Sequence, residues 1–195
     1  MIHTDTPTRL RSVILEQAQA PAFREPLKDA SLDGRLGAWT KSLTACVASA
    51  CGEMGWRATA RGFECELLPV RRSEYLALDV MAFSAADKNW LFPTAVMELE
   101  NSREMDKIAY SLWKVLCVRA GLRFVFCYRK HAEEAPALIQ HLRRDVIDAM
   151  SLHGRVQLEG RTFVVVGSRN DADTFPYGFF KWWELNTDTG HFEPF

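Results

Sequence analysis

The segment Leu122 to Tyr128 is apolar apart from Arg123, as a strand buried on both faces must be. Such a strand needs cover above and below, so it fixes the middle of a sheet with helices around it. The residues just before it supply one of those helices. From about Ser102 to Ala120, Met105, Ile108, Leu112, Val115, Leu116 and Arg119 recur at helical spacing, and Gly121 ends the run.

The rest of the chain extends the same pattern. Thr6-Pro7 reads as an N-cap followed by proline at the first helical position, opening a helix to about Ala20. Pro21, Pro26 and the Asp33-Gly34 turn make the next stretch a connector. A second helix is expected from about Leu36 to Met54, with Leu36, Leu43, Val47, Ala50 and Met54 near one face. Strands are expected at Trp56 to Thr59 and Phe63 to Leu68, then a basic turn from Pro69 to Ser73, then two short apolar strands around Asp79 and Glu98. Pro136 opens another helix, with Leu138, Ile139, Leu142, Val146, Ile147 and Met150 facing inward and Gly154 after it. The remainder reads as strands at Arg155 to Glu159, Thr162 to Gly167 and Tyr177 to Leu185. The expected fold is α/β, with a mixed central sheet flanked by helices. Residues 1–33 form an N-terminal helix and connector, and 34–195 form a single domain.

Composition narrows the function classes. The 195 residues are 48% hydrophobic and 25% charged, as in a soluble globular protein. Net charge is −1, so any basic surface for a polyanion must be local. Five cysteines without a Cys-x-x-Cys pair read as reduced core thiols, and five scattered histidines argue against a zinc site of the usual spacing. There is no signal-peptide core and no apolar stretch of membrane-spanning length, so a cytoplasmic protein with no membrane partner is expected. Dinucleotide, ATP and serine-hydrolase motifs are absent.

The candidate chemistry lies in three carboxylates. Glu98 and Glu100, two apart on one strand, point the same way, while Met97 and Leu99 point the other. In a simple antiparallel hairpin register, Asp79 stands opposite Glu98, Phe83 opposite Thr94 and Ala77 opposite Glu100. Like charges directly opposite on a sheet are destabilising, so the arrangement makes sense with a cation between them. Oxygen-only ligands suit a hard ion such as Mg²⁺.

An acidic residue on the second core strand, and an acid-x-acid motif on the third before a helix, resemble the PD-(D/E)xK nuclease superfamily of restriction-endonuclease-like proteins. The resemblance covers roughly residues 36 to 128. It implies a metal-dependent endodeoxyribonuclease hydrolysing DNA with Mg²⁺ or Mn²⁺. On that reading Asp79 and Glu98 are metal ligands, with the Leu99 carbonyl as a third. Glu100 stands where the family usually carries lysine and serves as second-ion ligand or general base. Glu53 is a further candidate acid. Some members move the lysine to the following helix, where Lys107 and Lys114 stand here; Lys107 is the expected cation at the scissile phosphate. The departure at Glu100 leaves room for a catalytically degenerate member of the fold acting as a nucleic-acid- or protein-binding module.

DNA needs cations, and Arg71-Arg72, Arg129-Lys130-His131 and Arg143-Arg144 are the available clusters, joined by Arg57, Arg61 and Arg103 near the site. Arg71, Arg72, Asn101, Arg103 and Lys114 are the expected nucleic-acid contacts. Trp182 and Trp183 offer rings for base stacking, although adjacent strand residues face opposite ways, which leaves at least one in the core. Phe175, Phe179, Phe180, Phe192 and Phe195 point to a tail that packs firmly or makes a homodimer contact.

Overall fold

The computed structural model describes residues 5–64, 66, 68–70, 72–84 and 90–195. Its centre is a seven-stranded sheet in simple sequential order, β1 to β7. The strands are β1 (Trp56–Ala60), β2 (Val80–Ser84), β3 (Ala95–Leu99), β4 (Leu122–Arg129), β5 (Arg161–Ser168), β6 (Phe180–Leu185) and β7 (Phe192–Pro194). Strands β3, β4 and β5 run parallel, while the pairs on either side of them are antiparallel. The parallel step from β3 to β4 is made by helix α4 (Met105–Leu116), whose apolar stripe Ile108, Leu112 and Val115 is fully buried. Every residue of β4 is buried.

Side-chain alternation sorts the core into two layers. Ala95, Met97, Leu99, Phe124, Phe126 and Phe163 meet helices α1 (Thr6–Gln19), α2 (Pro21–Leu32) and α3 (Leu36–Glu53) on one face. Val96, Val125, Cys127 and Val164 meet α4, α5 (Ala135–Leu142) and the π-helical turn Arg143–Ile147 on the other. Helix α6 (Leu152–Val156) then leads to β5. Phe195 packs on Phe163 at 4.9 Å between ring centres, so the aromatic tail closes onto the first layer. No helix among the described residues is long and apolar enough to cross a membrane.

Several expected elements differ. The connector after Pro21 is helix α2: Pro21 sits at its first position, where a missing N–H is harmless, and Leu27, Ala30 and Ser31 are buried. Pro26 lies within the helix, and burial of this face outweighs its cost. Of the expected strand Phe63 to Leu68, Phe63 alone makes an isolated bridge, to Ala60 across the Arg61-Gly62 turn; Cys65 and Leu67 lie outside the described residues. Tyr75–Ala77 is a 3₁₀ turn, with Leu76 and Ala77 at φ of 55° and 54°, so the second core strand begins at Val80. Arg155 and Val156 belong to α6 instead of a strand, and Gly154 lies inside that helix, which Ser151 caps by accepting from the Gly154 N–H at 3.1 Å.

Candidate active site

The pairing of β2 with β3 sets Val80 opposite Met97 and Met81 opposite Val96, the register expected from the sequence. One step beyond Val80, Asp79 and Glu98 therefore face each other across the strand pair. Their contacts are reciprocal. Asp79 Oδ2 accepts from the Leu99 N–H at 2.7 Å, and the Asp79 N–H points to Glu98 Oε1 at 3.4 Å. Each carboxylate thus fixes the other strand's backbone. The two left-handed residues just before Asp79 are backbone strain of the kind that gathers at functional sites.

Glu98 points to the α4 layer and is 5% exposed. Lys114, in the last turn of α4, brings Nζ to 2.7 Å from Glu98 Oε2 and also donates to the Ala77 carbonyl at 2.7 Å. Ser111, one turn earlier, stands at 3.4 Å from the same oxygen. Burial pushes the Glu98 carboxyl up to about 7; the Lys114 hydrogen bond pulls it down, and the nearby Asp79 charge pushes it up again.

A cleft of about 470 Å³ opens beside Asp79, and neither Glu98 nor Lys114 lines it. Asp79 and Asn101 line one wall, while Thr40, Lys41 and Thr44 of α3 line another. Asn101 Nδ2 donates to Thr40 Oγ1 at 2.8 Å, tying the end of β3 to α3. Arg61 and Glu74, 3.8 Å apart, stand at the same cleft.

The remaining expected residues are spread around this centre. Glu100 lies just past β3; its Oε1 turns back to accept from the Ser102 N–H at 2.7 Å. Asp79, Glu98 and Glu100 do not bring one oxygen each within 4.8 Å of one another. Lys107 is exposed and paired with Glu104 at 2.8 Å; that hydrogen bond raises its pKa. Glu53 is the exposed last residue of α3, roughly 20 Å along the helix from Thr40. Arg72 and Arg103 are exposed, and Arg71 lies outside the described residues. Trp182 is buried in the core, while Trp183 is partly covered in the opposite layer.

Among these residues Asp79 and Glu98 are the ones that could hold a hard divalent cation. Asp79 and Glu98 offer adjacent carboxylates, and the Lys114 ammonium already lies 2.7 Å from Glu98 Oε2. Mg²⁺ is commonly held by one or two carboxylates, with water and phosphate oxygens completing its shell.

Of the two helix lysines the sequence offered, Lys107 was the expected cation at the scissile phosphate, and Lys114, between two and three turns into α4, is the one that reaches Glu98. A second group also came together unannounced. Asp106, His141 and Asp145 offer ligand atoms within 4.8 Å of each other, His141 and Asp145 being one helical turn apart. Arg144 already forks onto both Asp145 oxygens and reaches His141 Nδ1 at 3.0 Å, so a guanidinium occupies the cation's role there.

No protein-family model matches the chain, and no curated protein sequence matches it. Solved structures that resemble it in shape include two of NucC. NucC from E. coli MS115-1, in its cAAA-bound form, aligns over 100% of this chain and 84% of its own with a TM-score of 0.50 and 11% identity. NucC from P. aeruginosa ATCC27853, also cAAA-bound, aligns over 99% and 84% with a TM-score of 0.48 and 11% identity. Together with the mixed seven-stranded sheet between two helical layers, the first alignment identifies the fold of this chain as restriction-endonuclease-like.

Proposed function

We propose that this protein is a metal-dependent nuclease that hydrolyses phosphodiester bonds of DNA. The observation that carries the reading is the Asp79–Glu98 pair, cross-braced across β2 and β3, with Asp79 lining a cleft and the Lys114 ammonium on the buried Glu98. Asp79 keeps Oδ1 for a ligand while Oδ2 is committed to the Leu99 N–H, which fixes the direction in which the free oxygen points. Glu98 sits deeper, and burial raises its carboxyl to about 7 despite the Lys114 ammonium beside it. Mg²⁺, when bound, supplies Lewis acidity toward water and the phosphate oxygens. Lys114, held by Glu98 and the Ala77 carbonyl, places a positive charge where negative charge develops on the phosphate. Asn101 and Lys41 give the cleft polar groups to orient the strand.

The test is nicking of supercoiled plasmid DNA in Mg²⁺ or Mn²⁺ against EDTA. Cleavage should fall at least about a hundredfold in Asp79→Asn and Glu98→Gln. Unchanged cleavage in either variant removes the assignment. The displacement of Glu100 from the other two carboxylates favours a second reading, a binding module that no longer cuts. That module would hold DNA with affinity that weakens as salt rises and would never nick it.

A further inference from the structure

Arg129 closes β4, and its side chain is almost wholly enclosed, with 5% of the residue exposed. Nη1 donates to the neighbouring Tyr128 carbonyl at 3.2 Å, and Nη2 finds no acceptor. No described carboxylate pairs with it. A buried charge without a counter-charge is strongly unfavourable, and a group left in that state calls for a missing ion. Two neighbours share the condition: among the described residues the Tyr128 hydroxyl and Arg169 Nη2 are also buried without partners. The parallel pairing of β4 with β5 causes this gathering, because it sets Arg129 beside Ser168 and brings Arg169 directly after it.

The place is built. The Arg169 guanidinium lies over the Tyr128 ring at 5.0 Å. The two strand-end loops are clipped together, with the Asn170 N–H donating to the Lys130 carbonyl at 3.0 Å and Asn170 Nδ2 meeting His131 Nδ1 at 2.8 Å. Between them is a cavity of about 300 Å³ lined by Arg103, Arg129, Lys130 and Arg169 against a single acid, Glu134. Glu134 is itself occupied, accepting from the His131 N–H at 3.2 Å. Open α/β sheets bind ligands outside the carboxyl ends of their parallel strands, which is where this cavity lies.

We infer that the pocket at the ends of β4 and β5 binds a phosphate group through the cations that line it, Arg103, Arg129, Lys130 and Arg169. Guanidinium groups match phosphate oxygens in paired hydrogen bonds. Asn101 lines the carboxylate cleft and Arg103, two residues on, lines this pocket, so one short segment separates them. A strand in the cleft therefore has a phosphate within reach of the pocket. Only the choice of nucleic acid as the carrier rests on the nuclease reading; the pocket itself does not.

The experiment runs the full chain in EDTA, where metal chemistry is silent, with inorganic phosphate at millimolar concentration and ionic strength matched by chloride. Phosphate at a hundredfold excess over Kd should raise Tm by about 5 °C or more. Arg129→Met should weaken phosphate binding at least about tenfold and leave the ligand-free Tm unchanged or higher, since it removes an unpaired buried charge. Arg169→Gln, at the half-buried rim, should weaken binding in the same direction and decides the matter should Arg129→Met fail to fold. Equal phosphate shifts in wild type and in the folded variants, or no shift in wild type, overturn the inference. Single-stranded oligonucleotides with 5′-phosphate and 5′-hydroxyl ends then separate the sources. A preference of about tenfold for the phosphorylated end assigns a terminal phosphate, and equal Arg129-dependent binding assigns an internal phosphodiester. Phosphate binding without plasmid cleavage leaves the pocket standing and sinks the nuclease reading alone.

Discussion

Replacing Glu98 with glutamine isolates the energetic consequence of burying an acid under α4. The carboxyl is raised from an ordinary 4.5 to about 7, mainly by burial. A carboxyl that binds its proton more tightly in the folded state favours folding while it is protonated. That contribution is complete below about pH 4.5 and is lost as the pH rises through about 7, so the metal-free protein is penalised at pH 8. A shift of this size corresponds to a ceiling of about 3 kcal/mol. Glutamine keeps the shape and cannot ionise, but it leaves Lys114 with the Ala77 carbonyl alone, which offsets part of the gain. The expected result is that Glu98→Gln is about 1–2 kcal/mol more stable than wild type at pH 8 and nearly equal to it at pH 5. Urea unfolding in EDTA at several pH values measures this, with the difference between the two proteins cancelling every other titrating group. A variant less stable than wild type at pH 8, or a difference that does not change with pH, would show that the Glu98–Lys114 ion pair outweighs the burial penalty and would refute the reasoning.

Two further outcomes test the neighbourhood and the fold. Lys114→Met leaves Glu98 without its cation and should cost about 2 kcal/mol at pH 8 in urea unfolding. On the nuclease reading it also abolishes nicking, and adding Glu100→Lys in the same chain should restore part of the cleavage. Gly160→Ala should destabilise by about 2 kcal/mol or more, read as a fall in Tm, because the backbone there is left-handed and the added carbon meets the Ala120 and Gly121 carbonyl oxygens at 2.5 Å.

What the sequence made legible follows from local periodicity. Leu122 to Tyr128 and the α4 stripe could be read because each is covered in a way that imprints a repeat on the chain. The β2–β3 register could be read because a one-residue slip would turn Met97 and Val96 to the wrong layers. Helix α2 could not, since Pro21 and Pro26 are local punctuation and only contact with α3 overrides them. Strand β7, with three residues including Pro194, is too short to show an alternation. Arg129-Lys130-His131 read as an available surface cation cluster; that Arg129 is enclosed depends on β5 and its following turn, which pack on it from some forty residues away.

The same distinction explains the site. Glu98 and Asp79 were visible because an acid in an apolar strand breaks a pattern, whereas their cation was ambiguous because two lysines occupy one helix. Lys107 and Lys114, seven residues apart, share one face of α4, so position along the helix decides between them: Lys114 in the last turn reaches Glu98, and Lys107 near the start does not. Ile108, Leu112 and Val115 point into the layer, and Ser111 and Lys114 flank that stripe on the side of β3, while Lys107 starts the helix in solvent beside Glu104. A lysine on the strand at position 100 would reach Glu98 from along the same backbone, fixed by the pleat. From α4 it reaches across the layer, so its placement depends on the packing of Leu112 and Val115. Moving the charge from strand to helix keeps an ammonium at 2.7 Å from the buried carboxylate and makes its position a property of the core.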